Sequence, residues 1–302
     1  IIVSAVSFTL AFYAFNAHRV FIPLLVILAG LIYRENLLKL KKKVLLAGIV
    51  GVVLLTPYLL FFKSPESKLR FNEVNIFSDS FVVERSNEWI QNSDNPLTKI
   101  IYNRRVLYGL SYTQHYFDFF NPTFLFISGD VNPRFSSSDV GQLYIWQLPF
   151  VLIGLYALTK KDRKTAVFIF GWFLLAPVAA ATARETPHAL RSETFLPVYE
   201  IFTALGLIFS YDLVRQYKKT SRVFLSVVIF LIAINLYIFL HNYFVHSPRE
   251  FSGEFQYGYQ QAIQKAESIK DNYEYVVLSN AYGRPYIYTL FCSIVPFNCS
   301  VQ

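Results

Sequence analysis

The chain is 302 residues long, 54% hydrophobic and only 16% charged, against about 25% charged residues in soluble domains. That composition excludes an ordinary water-soluble domain and describes an integral membrane protein. The formal charge of +8 calls for no nucleic acid, because most of the excess sits in three short Lys/Arg clusters beside apolar runs, where it orients a chain in a bilayer.

There is no methionine, and the chain opens inside an apolar run, so we expect a preceding part that includes the rest of the first helix. Residues 1–15 form that shortened run. Asn16-Ala17-His18-Arg19 interrupts it, and residues 20–33 resume the pattern up to Arg34, Lys39, Lys41, Lys42 and Lys43, the densest basic cluster and the best marker of a cytoplasmic loop. Residues 44–62 then run outward, with Pro57 near the far end, where a kink or a stop is tolerated.

Residues 63–141 are the longest polar stretch and are expected outside. Within them, 97–120 reads as one basic, aromatic, amphipathic helix lying in the interface plane, followed by a turn-forming stretch, Ser128-Gly129-Asp130-Val131-Asn132-Pro133-Arg134. Residues 143–159 return to Lys160, Lys161, Arg163 and Lys164. Residues 166–183 go out, and 195–210 come back to Arg215, Lys218, Lys219 and Arg222. A last run, 223–244, crosses outward.

With this count all three basic clusters fall on one side, as the positive-inside tendency requires. From His246 the chain is polar: 255–272 suits an amphipathic helix, 273–278 alternates like a strand, and 279–285 reads as a turn into another helix. The expected fold is an all-α polytopic membrane protein of about seven transmembrane helices, with an extracytoplasmic interfacial helix and a small C-terminal α/β region. Residues 1–245 would form the membrane domain and 246–302 the extracytoplasmic tail. Cys292 and Cys299 are too few for a metal site; a disulfide and two separate thiols both stay open.

The charged insert Arg184-Glu185-Thr186-Pro187-His188-Ala189-Leu190-Arg191-Ser192-Glu193 lies between two long apolar runs, so it is a hairpin at the outer face. One arginine at a helix end is ordinarily an interfacial anchor. Three polar inserts on the same face are a different matter. His18-Arg19, the Asp130-to-Arg134 turn and the 185–193 hairpin could converge over a bound anion, for which a lipid-linked phosphate suits the planar donor fork of arginine.

Other chemical signatures are missing: there is no Gly-rich phosphate loop, nucleophile elbow or zinc-helix motif. The centres of the expected spans carry no Asp, Glu, Lys or Arg, which speaks against an ion-coupled transporter.

The stretch 7–25 around Asn16-Ala17-His18-Arg19 resembles a hairpin of bacterial integral-membrane glycosyltransferases of the C superfamily, relatives of protein O-mannosyltransferase and the lipid A aminoarabinose transferase. So do Gly129-Asp130-Val131-Asn132-Pro133-Arg134 leading to Leu148-Pro149-Phe150, and Pro187-His188-Ala189-Leu190-Arg191-Ser192 leading to Phe195-Leu196-Pro197. The resemblance covers about residues 1–211. It implies a plasma-membrane, multi-pass enzyme that moves a sugar from a polyprenyl-phosphate donor to an extracytoplasmic acceptor, with membrane lipids as surroundings.

In that family an acidic residue of the first outer loop is the general base, and a divalent ion, Mg or Mn, often helps hold the leaving phosphate. The base is expected upstream of residue 1, so the stretch by itself is expected to be inactive. Arg134 and Arg191 are the leading donor-phosphate contacts, with His188, His18 and Arg19 behind them. Asp130 and Glu185 would orient these groups or meet a metal. Competing classes are a polysaccharide ligase or polymerase that uses polyprenyl-linked sugars, and a non-enzymatic transporter or structural membrane protein.

Overall fold

A computed structural model describes residues 1–62, 64, 72–93, 95–137, 140–279, 283 and 285–294. Among them the regular structure is helical: α1 (Ile2–Ala14), α2 (His18–Ile32), α3 (Arg34–Lys39), α4 (Lys41–Phe61), α5 (Ser80–Gln91), α6 (Arg104–Asp118), α7 (Gln147–Leu158), α8 (Arg163–Ala180), α9 (Leu196–Val214), α10 (Lys218–His241), α11 (Tyr259–Ile269) and α12 (Pro285–Ile294), with shorter turns between.

Four helical segments are long and apolar enough to cross a membrane: Lys41–Phe61, Arg163–Ala180, Leu196–Val214, and the continuous run Lys218–Glu250 that begins with α10. Helices α1, α2 and α7 are apolar but shorter, so the about seven expected crossings, the first of them incomplete, become four among the described residues, with three further apolar helices beside them. The reason is geometric: at 1.5 Å per residue, the 12 residues of α7 rise about 18 Å, against a hydrocarbon core of about 30 Å. The apolar surface of α4 and α10 faces away from the protein. Leu45, Val52, Leu60, Phe230 and Tyr237 are all exposed, a surface that only lipid or another apolar body can cover favourably.

Two contacts set the direction of the bundle. Helices α7 and α9 run side by side in the same direction: Gln147 meets Glu200 and Tyr156 meets Phe209, a constant offset along both chains. They touch at Gly154 and Gly206, where an added Cβ would overlap the carbonyls of Phe202 and Phe150 respectively. Two glycines at one level let the backbones meet, as in small-residue contacts between membrane helices. Helices α2 and α8 run in opposite directions, with Tyr33 against Phe168, Leu28 against Gly171 and Phe21 against Trp172.

It follows that the basic clusters gather at one end of the bundle. There Lys164 Nζ lies 3.2 Å from Glu35 Oε2. The parallel pair α7 and α9 brings Lys160 and Arg215 to that end, just past their last turns. The turn before α2 and the hairpin after α8 lie at the opposite end.

Helix α4 continues through Pro57. The Tyr13 hydroxyl accepts from the Tyr58 N–H (3.2 Å) and donates to the Leu54 carbonyl (2.9 Å), the two groups an uninterrupted helix would pair directly. Side-chain insertion of this kind repairs the ladder beside a proline. The core lies between α2, α7, α8 and α9, where Phe119, Phe195, Val198 and Phe202 are almost fully enclosed. Phe173 meets Phe120, Tyr199 and Phe202 edge-on and Phe195 at a tilt there.

The polar stretch departs from expectation in two places. The single helix expected over 97–120 is split: a turn at Thr98–Ile101 precedes α6, which starts where Asn103 caps it by accepting from the Arg105 N–H at 2.9 Å. Asparagine favours that capping role over a helix interior. Helix α5, capped by Asp79, was not anticipated.

The α/β tail is corrected as well. Among the described residues no strand forms, and 273–278 stays unpaired with Tyr275 and Val277 exposed, because an alternating segment without a neighbouring edge has nothing to bond. Instead α11 packs on α12 through stacked Tyr259 and Tyr288 rings at 4.9 Å. The helix expected after the 279–285 turn begins at Pro285. Cys299 and the side chain of Cys292 lie outside the described residues.

The α7–α9 contact yields a contrast between glycines. Gly154→Ala is expected to destabilise the protein by about 1–3 kcal/mol through overpacking, whereas Gly48→Ala on α4, with no atom within 4 Å of the new methyl, should leave it unchanged or slightly more stable. Thermal unfolding in detergent followed by circular dichroism checks both.

Candidate functional site

The hairpin after α8 is held from four directions. Its first residues pair with the segment before α5: Asn75 and Ala183 form an antiparallel bridge, Ile76 N–H donates to the Thr182 carbonyl and Arg184 N–H to the Val74 carbonyl, both at 2.9 Å. The Arg184 guanidinium then clasps the same segment, with Nε donating to the Asn75 carbonyl (3.1 Å) and Nη2 to that of Ser78 (2.8 Å). From the C-terminal end of α6, Asp118 accepts a 2.7 Å bond from the Thr186 hydroxyl. The peptide bond that follows, Thr186–Pro187, is cis.

The third brace is Asp130. Its loop turns sharply: Gly129 has φ +67°, a left-handed conformation natural to glycine. Asp130 Oδ1 accepts from the Asn132 N–H and Asn132 Oδ1 from the Arg134 N–H, two successive side-chain turns. The other oxygen, Oδ2, accepts a 2.6 Å bond from the Ala189 N–H, and the carboxylate is 5% exposed. The fourth brace is His18, at the start of α2: its Nε2 lies 3.1 Å from Glu193 Oε1 and its Nδ1 2.9 Å from the Ala11 carbonyl.

The seven residues singled out from the sequence therefore share one end of the bundle in differing states. His18 faces Glu193. Beside it, Arg19 lies over the Tyr58 ring at 4.7 Å, and its Nε is buried without a hydrogen-bond partner among the described residues. Arg191 is tethered back into the hairpin by a 2.8 Å bond from Nη1 to the Glu185 carbonyl. Arg134 reaches away from the hairpin to Glu254, at 3.0 Å, with both side chains about half exposed, which ties the tail to the loop; sequence reasoning gave no hint of that partner.

His188 is buried against Phe135, ring centroids 4.5 Å apart, with Nδ1 3.6 Å from Asp130 Oδ2. Its pKa is held below the ordinary imidazole value, chiefly by burial and then by the Arg191 charge, against the opposing pull of Asp130 and Glu185. At neutral pH it is thus an uncharged ring, and the cationic character of the site falls to the arginines.

The described residues at this end do not by themselves make up a metal site. Among the described residues no three His, Cys, Asp or Glu side chains gather as ligands, and one oxygen of Asp130 is committed to Ala189 and the other to Asn132. Asp130 is a brace of the hairpin. The arginines at this end take separate partners: Arg191 and Arg184 are bonded to backbone carbonyls of the hairpin and of the segment before α5, Arg134 is turned to Glu254 and Arg19 lies over Tyr58. Protein-family models, curated proteins and solved structures offer no match to the chain.

One residue that the sequence reading passed over is Glu200. It sits in the second turn of α9 and accepts from Gln147 Nε2 at 3.2 Å. It lies close to the middle of the expected 195–210 span, so that span is not free of charge and the argument drawn from uncharged span centres against an ion-coupled transporter does not hold for it.

Two outcomes follow from the braces. Asp130→Ala should leave the buried Ala189 N–H unpaired at a cost of about 1–3 kcal/mol, seen as faster amide exchange across 186–192. Because folding depresses the His188 pKa, the unfolded chain binds more protons below about pH 6.5. The His188 contribution is complete above that value and is lost as pH falls through the lower folded pKa. Unfolding midpoints measured between pH 7.5 and 5 should decline, and less steeply in His188→Gln.

Proposed function

We propose that this is a membrane glycosyltransferase that uses a polyprenyl-phosphate-linked sugar, with the hairpin end of the bundle outside the cytoplasm and the basic-cluster end inside, in the plasma membrane. The orientation is supported by the gathering of Lys160, Lys164 and Arg215 at one end. The observation that carries the reading is the approach of His18 Nε2 to Glu193 Oε1, 3.1 Å apart, which sets the Arg19 turn beside the Arg191 hairpin. Arg19 Nε, without a hydrogen-bond partner among the described residues, is a donor suited to a phosphate oxygen.

In such a transfer the acceptor hydroxyl oxygen attacks the anomeric carbon and the bond from that carbon to the phosphate oxygen breaks. The electron pair stays on the departing phosphate, and the hydroxyl proton goes to a carboxylate base. The arginines of this chain would bind the donor phosphate and stabilise the charge that grows on it. Arg191, fixed by the Glu185 carbonyl, and Arg134 remain the leading contacts, and Arg19 joins them.

Binding of a radiolabelled polyprenyl-phosphate sugar to the protein in nanodiscs should fall at least about tenfold in Arg191→Ala and in Arg134→Ala, as expected for loss of a charge-assisted bond. Undiminished binding in both would remove this assignment.

A further inference from the structure

The continuous run that begins with α10 does not end as a plain α-helix. Residues Asn242–His246 form one π turn, in which the Ser247 N–H donates to the Asn242 carbonyl five residues back, and a helical turn, Ser247–Glu250, follows. Such turns are rare and recur at functional sites.

The effect of this turn is to pair two histidines. In an α-helix, residues five apart point about 140° apart around the axis; here the wider turn brings His241 and His246 together, with ring centroids 5.0 Å apart and planes at 73°. Both side chains are exposed, so burial does not account for the contact. His241 is backed by the Tyr237 ring, stacked at 5.9 Å. On the other side, His246 Nδ1 lies 3.7 Å from Glu250 Oε1. A carboxylate beside one ring nitrogen favours a proton there and leaves Nε2 as a lone-pair donor.

The spacing matches two ligands of one ion. With metal–nitrogen bonds of about 2.0–2.1 Å, each ring centroid stands about 3.2 Å from the metal, and two rings spread at a tetrahedral angle have centroids about 5 Å apart. Imidazole nitrogen suits zinc, copper or nickel, whereas magnesium, calcium and manganese prefer oxygen. Two rings fill two positions and leave the others to water or a further donor.

We propose that His241 and His246 bind a divalent transition cation of the copper or zinc class at the π turn that ends α10, with Glu250 orienting the His246 ring. The site shares no residue with the arginines assigned to phosphate, and it does not depend on the transferase reading.

Copper(II) titrated into the protein, purified without a histidine tag and kept in detergent micelles, tests it by electron paramagnetic resonance. One equivalent should bind with hyperfine splitting from two imidazole nitrogens. That pattern should be lost in His241→Ala and in His246→Ala, positions exposed enough that folding should survive, and stay in His115→Gln. Copper should bind about tenfold more weakly in Glu250→Gln, the loss typical when the partner of a metal-bound histidine is removed; undiminished affinity there would remove the role given to Glu250. Magnesium in large excess should leave the signal unchanged. Persistence of the two-nitrogen pattern in both alanine variants, its absence from the unaltered protein, or displacement by magnesium would overturn the proposal.

Discussion

The arrangement at the hairpin end depends on one buried carboxylate. Asp130 reaches across from a loop more than fifty residues earlier to take the Ala189 N–H at 2.6 Å, and it lies almost wholly out of solvent. A charged acceptor placed there stabilises the hairpin strongly when bonded and would destabilise it as strongly if left alone, so the loop and the hairpin hold together or separate together. The Arg184 clasp, the Thr186 bond to Asp118 and the His18–Glu193 contact add three further attachments. Each ties a different polar insert to the same ten residues.

That end can be a shared surface only because the helices below it run in a consistent sense. The close approach at Gly154 and Gly206 makes α7 and α9 parallel, which requires the intervening α8 to travel the other way; its antiparallel packing on α2 agrees. The polar inserts are thereby collected at one end and the lysines and arginines of the short connections at the other. One small-residue contact thus helps to position the charged hairpin.

Much of this was legible in the sequence. The apolar runs, the basic clusters between them and the isolated polar inserts mark helices, connections and hairpin in nearly the right places, because burial in lipid demands long uninterrupted apolar stretches. Asn103 and Asp79 show what was less legible: capping residues inside a polar stretch are visible only once a helix is assumed to start there. The tail misled for a physical reason, since Tyr273, Tyr275 and Val277 alternate like a strand but find no partner edge among the described residues. In the site, residue types were readable and pairings were not. Nothing local to Arg134 announces Glu254, nor does Asp130 announce Ala189, because both links depend on how distant loops fold back. His188 read as a phosphate contact of either charge state, and only its burial beside Phe135 and Arg191 favours the neutral ring.

The central claim is that the turn at Asn16, the loop at Val131 and the hairpin at Leu190 share one face of the membrane while Lys42 and Lys161 lie on the other. Single cysteines placed at these five positions, in a chain whose Cys292 and Cys299 are replaced by serine, can be labelled with a membrane-impermeant maleimide in sealed vesicles of known orientation. The account predicts that positions 16, 131 and 190 react from one side and positions 42 and 161 only from the other. Labelling of 131 and 190 from opposite sides would contradict it.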